Sequence, residues 1–283
     1  MNFIYQFYVK LRASFRVLKF FILMGIYFSM AGFHYLIASD PVDRRKRLTK
    51  NGKITANWIL KIFNVRLICK EAIPQDEASL IVGNHLGFID IVCLTALSSG
   101  VFITSMEMKN TPVLGQICDL AGCAYVNRLN RMRIQDELKD IIEVLKQGFR
   151  VMLYAESLSS NGEQVLPFKK TLITAAGYAG KPIRPFVFNY REVDGGPIKY
   201  EHQDSLCWYG DQSFAEAIWK SLKLNSIVCE IEFLPLVQTS QEEDRAVLAQ
   251  RVHSMVSAKF VVFKQDMNSE EQTVLATGTA SAY

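Results

Sequence analysis

The sequence predicts an α/β protein: a mixed, largely parallel sheet flanked by helices and preceded by an N-terminal membrane-associated helical segment. Short apolar runs, typical of buried strands, alternate with longer stretches whose apolar residues recur every three or four positions, as in amphipathic helices. The 20 residues from Phe20 to Ser39 carry no formal charge, which is the length that a helix needs to cross a bilayer. Together these observations indicate a membrane-linked α/β domain.

The predicted elements follow one another from about residue 65. Strands are predicted at 65–69, 80–82, 101–103 and 151–154, within 183–190, and at 227–233; helices are predicted at 91–97, 134–145, 172–179 and 243–263. With 283 residues and 49% hydrophobic content, the chain is long enough for one main domain and an appendage. We therefore expect membrane-anchoring helices over 1–40, an α/β domain over 41–263, and a loose polar tail over 264–283.

The N-terminal region has two interpretations. Residues 3–18 place aromatic and aliphatic side chains at helical spacing among basic ones, as in a helix that lies at the membrane interface, whereas 20–39 could span the bilayer. A secretory signal fits less well, because the apolar run is long and no small-residue cleavage site precedes Asp40. The basic residues 44–47 are typical of a cytoplasmic segment that meets anionic headgroups.

Charge and cysteine content exclude several classes of protein. A net charge of +4, without a recognition motif, does not indicate a nucleic-acid binder. The six cysteines form no CxxC pair and show no metal-ligand spacing, so we interpret them as reduced, buried thiols.

A histidine and a carboxylate follow the predicted strand 80–82. The segment reads Asn84-His85-Leu86-Gly87-Phe88-Ile89-Asp90, and a loop that turns into a helix can fold Asp90 back beneath His85. A carboxylate on one ring nitrogen fixes the tautomer and stabilises the cation that forms when the other nitrogen takes a proton. The alternative is a purely structural hydrogen bond. A second acid, Glu156, follows the predicted strand 151–154.

With these residues in place, the chain resembles the glycerophosphate and lysophosphatidate acyltransferases. Their Asn-His-x4-Asp block matches residues 84–90; the later blocks are similar to Gly122–Arg128, to Tyr154–Gly162 with Pro167-Phe168-Lys169-Lys170, and to Pro182–Val187. The similarity covers about residues 50–235, and four blocks in order are more specific than any one alone.

The resemblance implies acyl transfer from a thioester, acyl-CoA or acyl-ACP, to the hydroxyl of a lysophospholipid, most simply lysophosphatidate. It implies His85 as the base and Asp90 as its orienting partner; it further implies substrate-binding roles for Asn84, Arg128, Glu156, Lys169 and Lys170. Backbone N–H groups around Gly87 or near Glu156 are candidates to stabilise the oxyanion. Neither a metal nor a resident cofactor is expected. The implied location is a bacterial inner membrane, with the catalytic domain in the cytoplasm.

The chain also departs from the family pattern. Ser157-Leu158-Ser159 stands where Gly-Thr and a further polar or basic residue are common, Gly87 replaces a common Ser, and Trp208–Phe214 is similar to a segment of bacterial acyltransferases for ornithine-type lipids. A lyso-ornithine lipid is therefore a second candidate acceptor. Two rival functions are a non-catalytic lipid-binding protein and a lipid hydrolase, although no Gly-x-Ser-x-Gly elbow occurs. Acyl-chain length and the choice between CoA and carrier protein are left open.

Overall fold

The computed structural model describes residues 3–74, 77–127 and 134–263. The helices are α1 (Phe3–Ile37), α2 (Pro41–Phe63), α3 (Phe88–Leu97), α4 (Met106–Lys109), α5 (Leu114–Leu120), α6 (Ile134–Lys146), α7 (Ala175–Ala179), α8 (Gln203–Leu206), α9 (Phe214–Lys223) and α10 (Arg245–Ser257). The strands are β1 (Val65–Cys69), β2 (Leu80–Gly83), β3 (Val101–Ser105), β4 (Ala124–Val126), β5 (Val151–Tyr154), β6 (Ile183–Val193), β7 (Gly196–Pro197) and β8 (Ile227–Phe233). Short 3-10 turns at Leu172–Thr174 and Tyr200–His202 precede α7 and α8.

The strands form a single mixed sheet, which confirms the predicted fold class. Its order within the described residues is β1-β8-β6-β2-β5-β3-β4, with β7 paired to β6 as an antiparallel hairpin. Strands β6, β2, β5, β3 and β4 run parallel, whereas β8 is antiparallel to β6 and parallel to β1. The carboxyl ends of β2 and β5 therefore lie side by side, where the loops after them can build a site.

Helices cover both faces of the sheet, which explains why its central strands are apolar throughout. Alternate residues of β2 and β5 enter different cores: Ile81 and Met152 pack with α3 and α2, whereas Leu80 and Val151 pack with α6, α7 and α10. All four of these side chains are fully buried. Two apolar layers thus fix the positions of the strand ends.

Helix α1 lies along the domain instead of projecting from it. Its buried stripe includes Ala13, Met24, Tyr27 and Ala31, while the opposite face exposes large apolar side chains along the whole helix. Near one end, the Arg12 guanidinium donates to the carbonyl oxygen of Lys223 at 2.7 Å, at the last turn of α9. Further along, the Tyr27 hydroxyl donates to the carbonyl oxygen of Ile117 at 3.4 Å, and α1 also packs against α2.

Three expectations are corrected by the structure. The plural helices expected over 1–40 are one continuous helix, α1. Helix α2 was not predicted, because the basic residues 44–47 obscured an apolar stripe that continues to Phe63. The last helix ends at Ser257 rather than near 263, since Asn189 of β6 binds the next residues: its Nδ2 donates to the Lys259 carbonyl and its Oδ1 accepts from the Val261 N–H. The expected tail, 264–283, lies outside the described residues.

Candidate active site

His85 and Asp90 form a hydrogen-bonded pair at the carboxyl end of β2. His85 Nδ1 lies 3.0 Å from Asp90 Oδ1 and 3.1 Å from Oδ2, so the chain folds back as predicted from the sequence. Asp90 is fully buried, whereas the His85 side chain is 16% exposed. Because a carboxylate accepts, Nδ1 carries the ring proton and Nε2 keeps a lone pair. The pair can therefore bind a proton at Nε2 and stabilise the resulting cation.

The first turn of α3 explains why Asp90 points back to the loop. The N–H groups of Leu86 and Gly87 donate to Asp90 Oδ2 at 2.6 and 2.8 Å, as in a capping box. The carboxylate is thus held by two backbone donors and the imidazole, and it lies at the positive end of the helix dipole. One side chain both begins the helix and orients the histidine.

Tyr154 supports the histidine ring from β5. Residue 154 pairs with Gly83 in the sheet register, and its ring stacks on the His85 imidazole with centroids 4.1 Å apart and planes 18° from parallel. Burial, reinforced by the nearby Asp90 carboxylate, raises the pKa of Tyr154 well above its usual value, so the phenol stays neutral. No role was predicted for Tyr154 from the sequence, because its position opposite a strand-end glycine becomes visible only with the register.

Glu156 connects the two loops that leave β2 and β5. Its Oε1 accepts from the His85 N–H at 2.7 Å and its Oε2 accepts from the Leu166 N–H at 2.8 Å, while the side chain is almost fully buried. Burial raises the pKa of Glu156 to about 7, although the two backbone hydrogen bonds oppose that change. This geometry supports a role for Glu156 in orienting the two loops.

Two carbonyl groups of the histidine loop also have hydrogen-bond partners. Ser160 N–H donates to the His85 carbonyl at 2.8 Å, and Trp208 N–H donates to the Leu86 carbonyl at 2.8 Å. The N–H groups of residues 85–87 already donate to Glu156 and Asp90, so these three are not available to an oxyanion; for the other N–H groups around Gly87 the expectation stays a prediction. The expectation for the loop near Glu156 stays a prediction.

Asn84 directly precedes His85 in the sequence, but its side-chain amide forms hydrogen bonds with the backbone of β6. Its amide Nδ2 donates to the Phe188 carbonyl at 2.9 Å and its Oδ1 accepts from the Phe188 N–H at 2.8 Å, in a fully buried setting. The amide therefore joins the end of β2 to β6. These hydrogen bonds give Asn84 a structural role, and its role in substrate binding stays a prediction.

Two of the basic residues predicted to bind a headgroup, Lys169 and Lys170, lie within the described structure. Both Lys169 and Lys170 are exposed. The Lys169 N–H donates to the Ala155 carbonyl at 2.7 Å, which ties this segment to the end of β5. Backbone N–H groups of α10, with a smaller contribution from Lys170, lower the pKa of Asp244, so Lys170 lies near the start of α10. Arg128 lies outside the described residues.

Comparisons with known proteins agree with this geometry. A family model described as Acyltransferase matches residues 64–189. The chain is 27% identical to a 1-acyl-sn-glycerol-3-phosphate acyltransferase of Neisseria meningitidis over 77% of this chain and 82% of the relative. It is 26% identical to a lyso-ornithine lipid O-acyltransferase of Brucella abortus over 83% of this chain and 90% of the relative.

A solved structure has the same fold. The crystal structure of the 1-acyl-sn-glycerophosphate acyltransferase PlsC from Thermotoga maritima aligns with a TM-score of 0.61 at 19% identity, over 88% of this chain and 97% of that one. The fold is thus similar to that of a solved acyltransferase, and the family model covers the segment that carries His85, Asp90 and Glu156. More narrowly, the relatives to which the chain is similar are named as acyltransferases for 1-acyl-sn-glycerol-3-phosphate and for lyso-ornithine lipid.

Proposed function

We propose that the protein moves a fatty acyl group from an acyl thioester to the free hydroxyl of lysophosphatidate, forming phosphatidate. The observation that carries the proposal is the His85–Asp90 pair, in which a buried carboxylate holds Nδ1 of a partly exposed imidazole. In this reaction His85 Nε2 accepts the hydroxyl proton as the oxygen attacks the thioester carbonyl. The carbon–sulfur bond then breaks, and the proton leaves with the thiol.

Asp90 and Tyr154 have supporting roles in this scheme. Asp90 stabilises the imidazolium that forms, through the hydrogen bond to Nδ1. The stacked Tyr154 ring restricts rotation of the imidazole, so that Nε2 keeps one direction. The protein itself is not acylated, and the donor is acyl-CoA or acyl-ACP.

A lyso-ornithine lipid is the second candidate acceptor. The Brucella relative with that acceptor in its name matches nearly as well as the Neisseria relative named for glycerol phosphate. The segment Ser157-Leu158-Ser159 also departs from the pattern of phosphate-accepting members. Fewer cationic partners at this loop favour an acceptor that does not need a fully neutralised phosphate.

The test is an acceptor panel with the purified full-length protein. We expect labelled acyl-CoA or acyl-ACP to yield phosphatidate from lysophosphatidate, identified by mass spectrometry. Formation of ornithine lipid alone would assign the second acceptor. Free fatty acid without acceptor would indicate a hydrolase, and lipid binding without turnover would indicate a non-catalytic binding protein.

We further propose that α1 lies in one leaflet of a bacterial inner membrane and keeps the catalytic domain on the cytoplasmic side. Arg12 and Tyr27 attach to the domain about 22 Å apart along the helix, at 1.5 Å per residue, so α1 could not cross the bilayer without the domain entering it. Helix α2, which packs against α1, also exposes the large apolar side chains of Ile54 and Trp58. Such a surface suits the interface, where an insoluble acceptor is stored.

A protease-accessibility experiment tests this orientation. In sealed inverted inner-membrane vesicles, a cleavable tag placed before Met1 should be removed from the outside, the side that the catalytic domain occupies. Protection of the tag until detergent is added would mean that α1 spans the bilayer. Cleavage in permeabilised vesicles controls for tag integrity.

A further inference from the structure

The segment that follows α8 contacts both loops of the site. Trp208 N–H donates to the Leu86 carbonyl at 2.8 Å, and the Ser159 hydroxyl donates to the Trp208 carbonyl. One peptide segment therefore joins the loop after β2 to the loop after β5. We call the backbone of Trp208 with its bonds to Leu86 and Ser159 the Trp208 clamp.

Side-chain contacts keep Trp208 in position. The indole Nε1–H donates to the Gln212 carbonyl at 2.7 Å, which closes the turn before α9. The indole packs on Phe214 with ring centroids 5.2 Å apart, and Phe214 meets the edge of Phe88 at 5.9 Å. Phe88 is the first residue of α3, the helix that carries Asp90. The clamp is thus braced against the element that orients His85.

Gly87 packs closely against the Trp208 clamp. A Cβ at position 87 would lie 2.9 Å from the Trp208 nitrogen and 3.2 Å from its Cβ. The φ of Gly87 is 161°, an extended conformation open to any residue, so space and not backbone conformation requires glycine here. The serine that is common at this place in the family would meet the backbone of Trp208.

We propose that Trp208 is a positioning residue for acyl transfer, acting through the Leu86–Gly87 peptide, with Gly87 as its matched partner. The proposal rests on the proposed function. The Trp208 N–H fixes the Leu86 carbonyl, and the N–H of the same peptide, that of Gly87, donates to Asp90. Any tilt of this peptide moves the carboxylate that holds His85. Trp208 therefore acts on proton transfer and not on the binding of either substrate.

The first test replaces Gly87 with serine, the residue that is common at this position in the family that the chain resembles. Gly87→Ser should lower kcat about tenfold or more, while the KM values for donor and acceptor stay within about twofold, because a small misplacement of a catalytic group is costly. Gly52→Ser is the matched control, since the nearest atom to a Cβ there is Thr95 Cγ2 at 3.8 Å. A Gly87→Ser enzyme with wild-type kcat overturns the proposal.

A second pair of variants keeps the test decisive if Gly87→Ser does not fold. Trp208→Ala loses the contact with Phe214 and the bond to Gln212, so kcat should fall about tenfold at nearly constant KM. Trp208→Phe keeps an aromatic ring there and should restore most of kcat. A loss confined to KM would overturn the proposal, because it would mean that the indole contacts substrate. If the wild type transfers acyl groups and these variants match it, the clamp proposal alone fails; if the wild type transfers none, both proposals fail.

Discussion

Replacing His85 with alanine should lower kcat about 1,000-fold while binding of lysolipid to the protein is retained. Under the proposed function, the variant removes the base that accepts the hydroxyl proton, a contribution typically of two to four orders of magnitude. The ring is partly exposed, so its removal should leave the fold intact. Initial rates with saturating acyl thioester and lysophosphatidate, together with a vesicle-based binding assay, measure the two effects separately.

Asp90→Asn is the companion variant. Asp90 accepts from three donors, namely His85 Nδ1, Leu86 N–H and Gly87 N–H, and an asparagine amide cannot accept from all of them. We expect kcat to fall about 100-fold or more, with the imidazole no longer held in one tautomer. His34→Ala, on α1, is the matched histidine control. A His85→Ala enzyme that still turns over at the wild-type rate would remove the histidine from the mechanism.

The second large effect concerns Glu156 and pH. The pKa of this carboxyl is about 7 in the fold, and its ordinary value is 4.5, so the folded state holds the extra proton between these values. Its contribution to stability is therefore fully present below pH 4.5 and is lost as the pH rises through 7. At about 1.4 kcal/mol per pKa unit, the loss is about 3 kcal/mol.

The difference in stability between the wild type and Glu156→Gln tests this expectation. The glutamine side chain does not titrate, so the stability advantage of the wild type should shrink between pH 5 and pH 8, by several degrees in the thermal midpoint measured in one detergent. A gap that stays constant across this range would contradict the prediction. Glu143→Gln, which removes an exposed carboxylate of α6, is the matched control.

The same variant should also reduce turnover. A glutamine has one acceptor oxygen, so either the His85 N–H or the Leu166 N–H loses its partner inside the protein, at a cost of about 1–3 kcal/mol. We expect kcat to fall about 10- to 100-fold at neutral pH, because the loop that carries the base is less well fixed. Unchanged turnover would indicate that Glu156 does not orient the histidine loop.

Local sequence patterns predicted which residues of the site lie at strand ends, but not which residues contact one another there. His85 and Glu156 could be placed at strand ends because each follows a short apolar run. Their direct contact depends on the pairing of β2 with β5, and a pairing between strands about 70 residues apart leaves no local pattern. The contact of Asn84 with Phe188 could not be predicted for the same reason, since the two residues are 104 positions apart.

Helix patterns were most informative where one face was clearly apolar. The strong periodicity of α6 predicted that helix within two residues, whereas the charged first half of α2 concealed the helix. The fit of Gly87 to Trp208 could not be predicted at all. The fit depends on the backbone of Trp208, which is distant from Gly87 in sequence. The φ of Gly87 is one that any residue can adopt, so the backbone conformation does not indicate a need for glycine.

The attachment of α1 to α9 sets a limit for engineering a shorter, more soluble form of this protein. Arg12 and Arg16 bind carbonyl groups at the end of α9, and Ala13 packs with Phe63 and Leu222 in one small apolar cluster. Removing α1 up to its junction with α2 would leave those carbonyl groups without their arginine donors. It would also expose the apolar cluster to water. Trimming should therefore stop before residue 12, with solubility sought by polar replacements on the outward face.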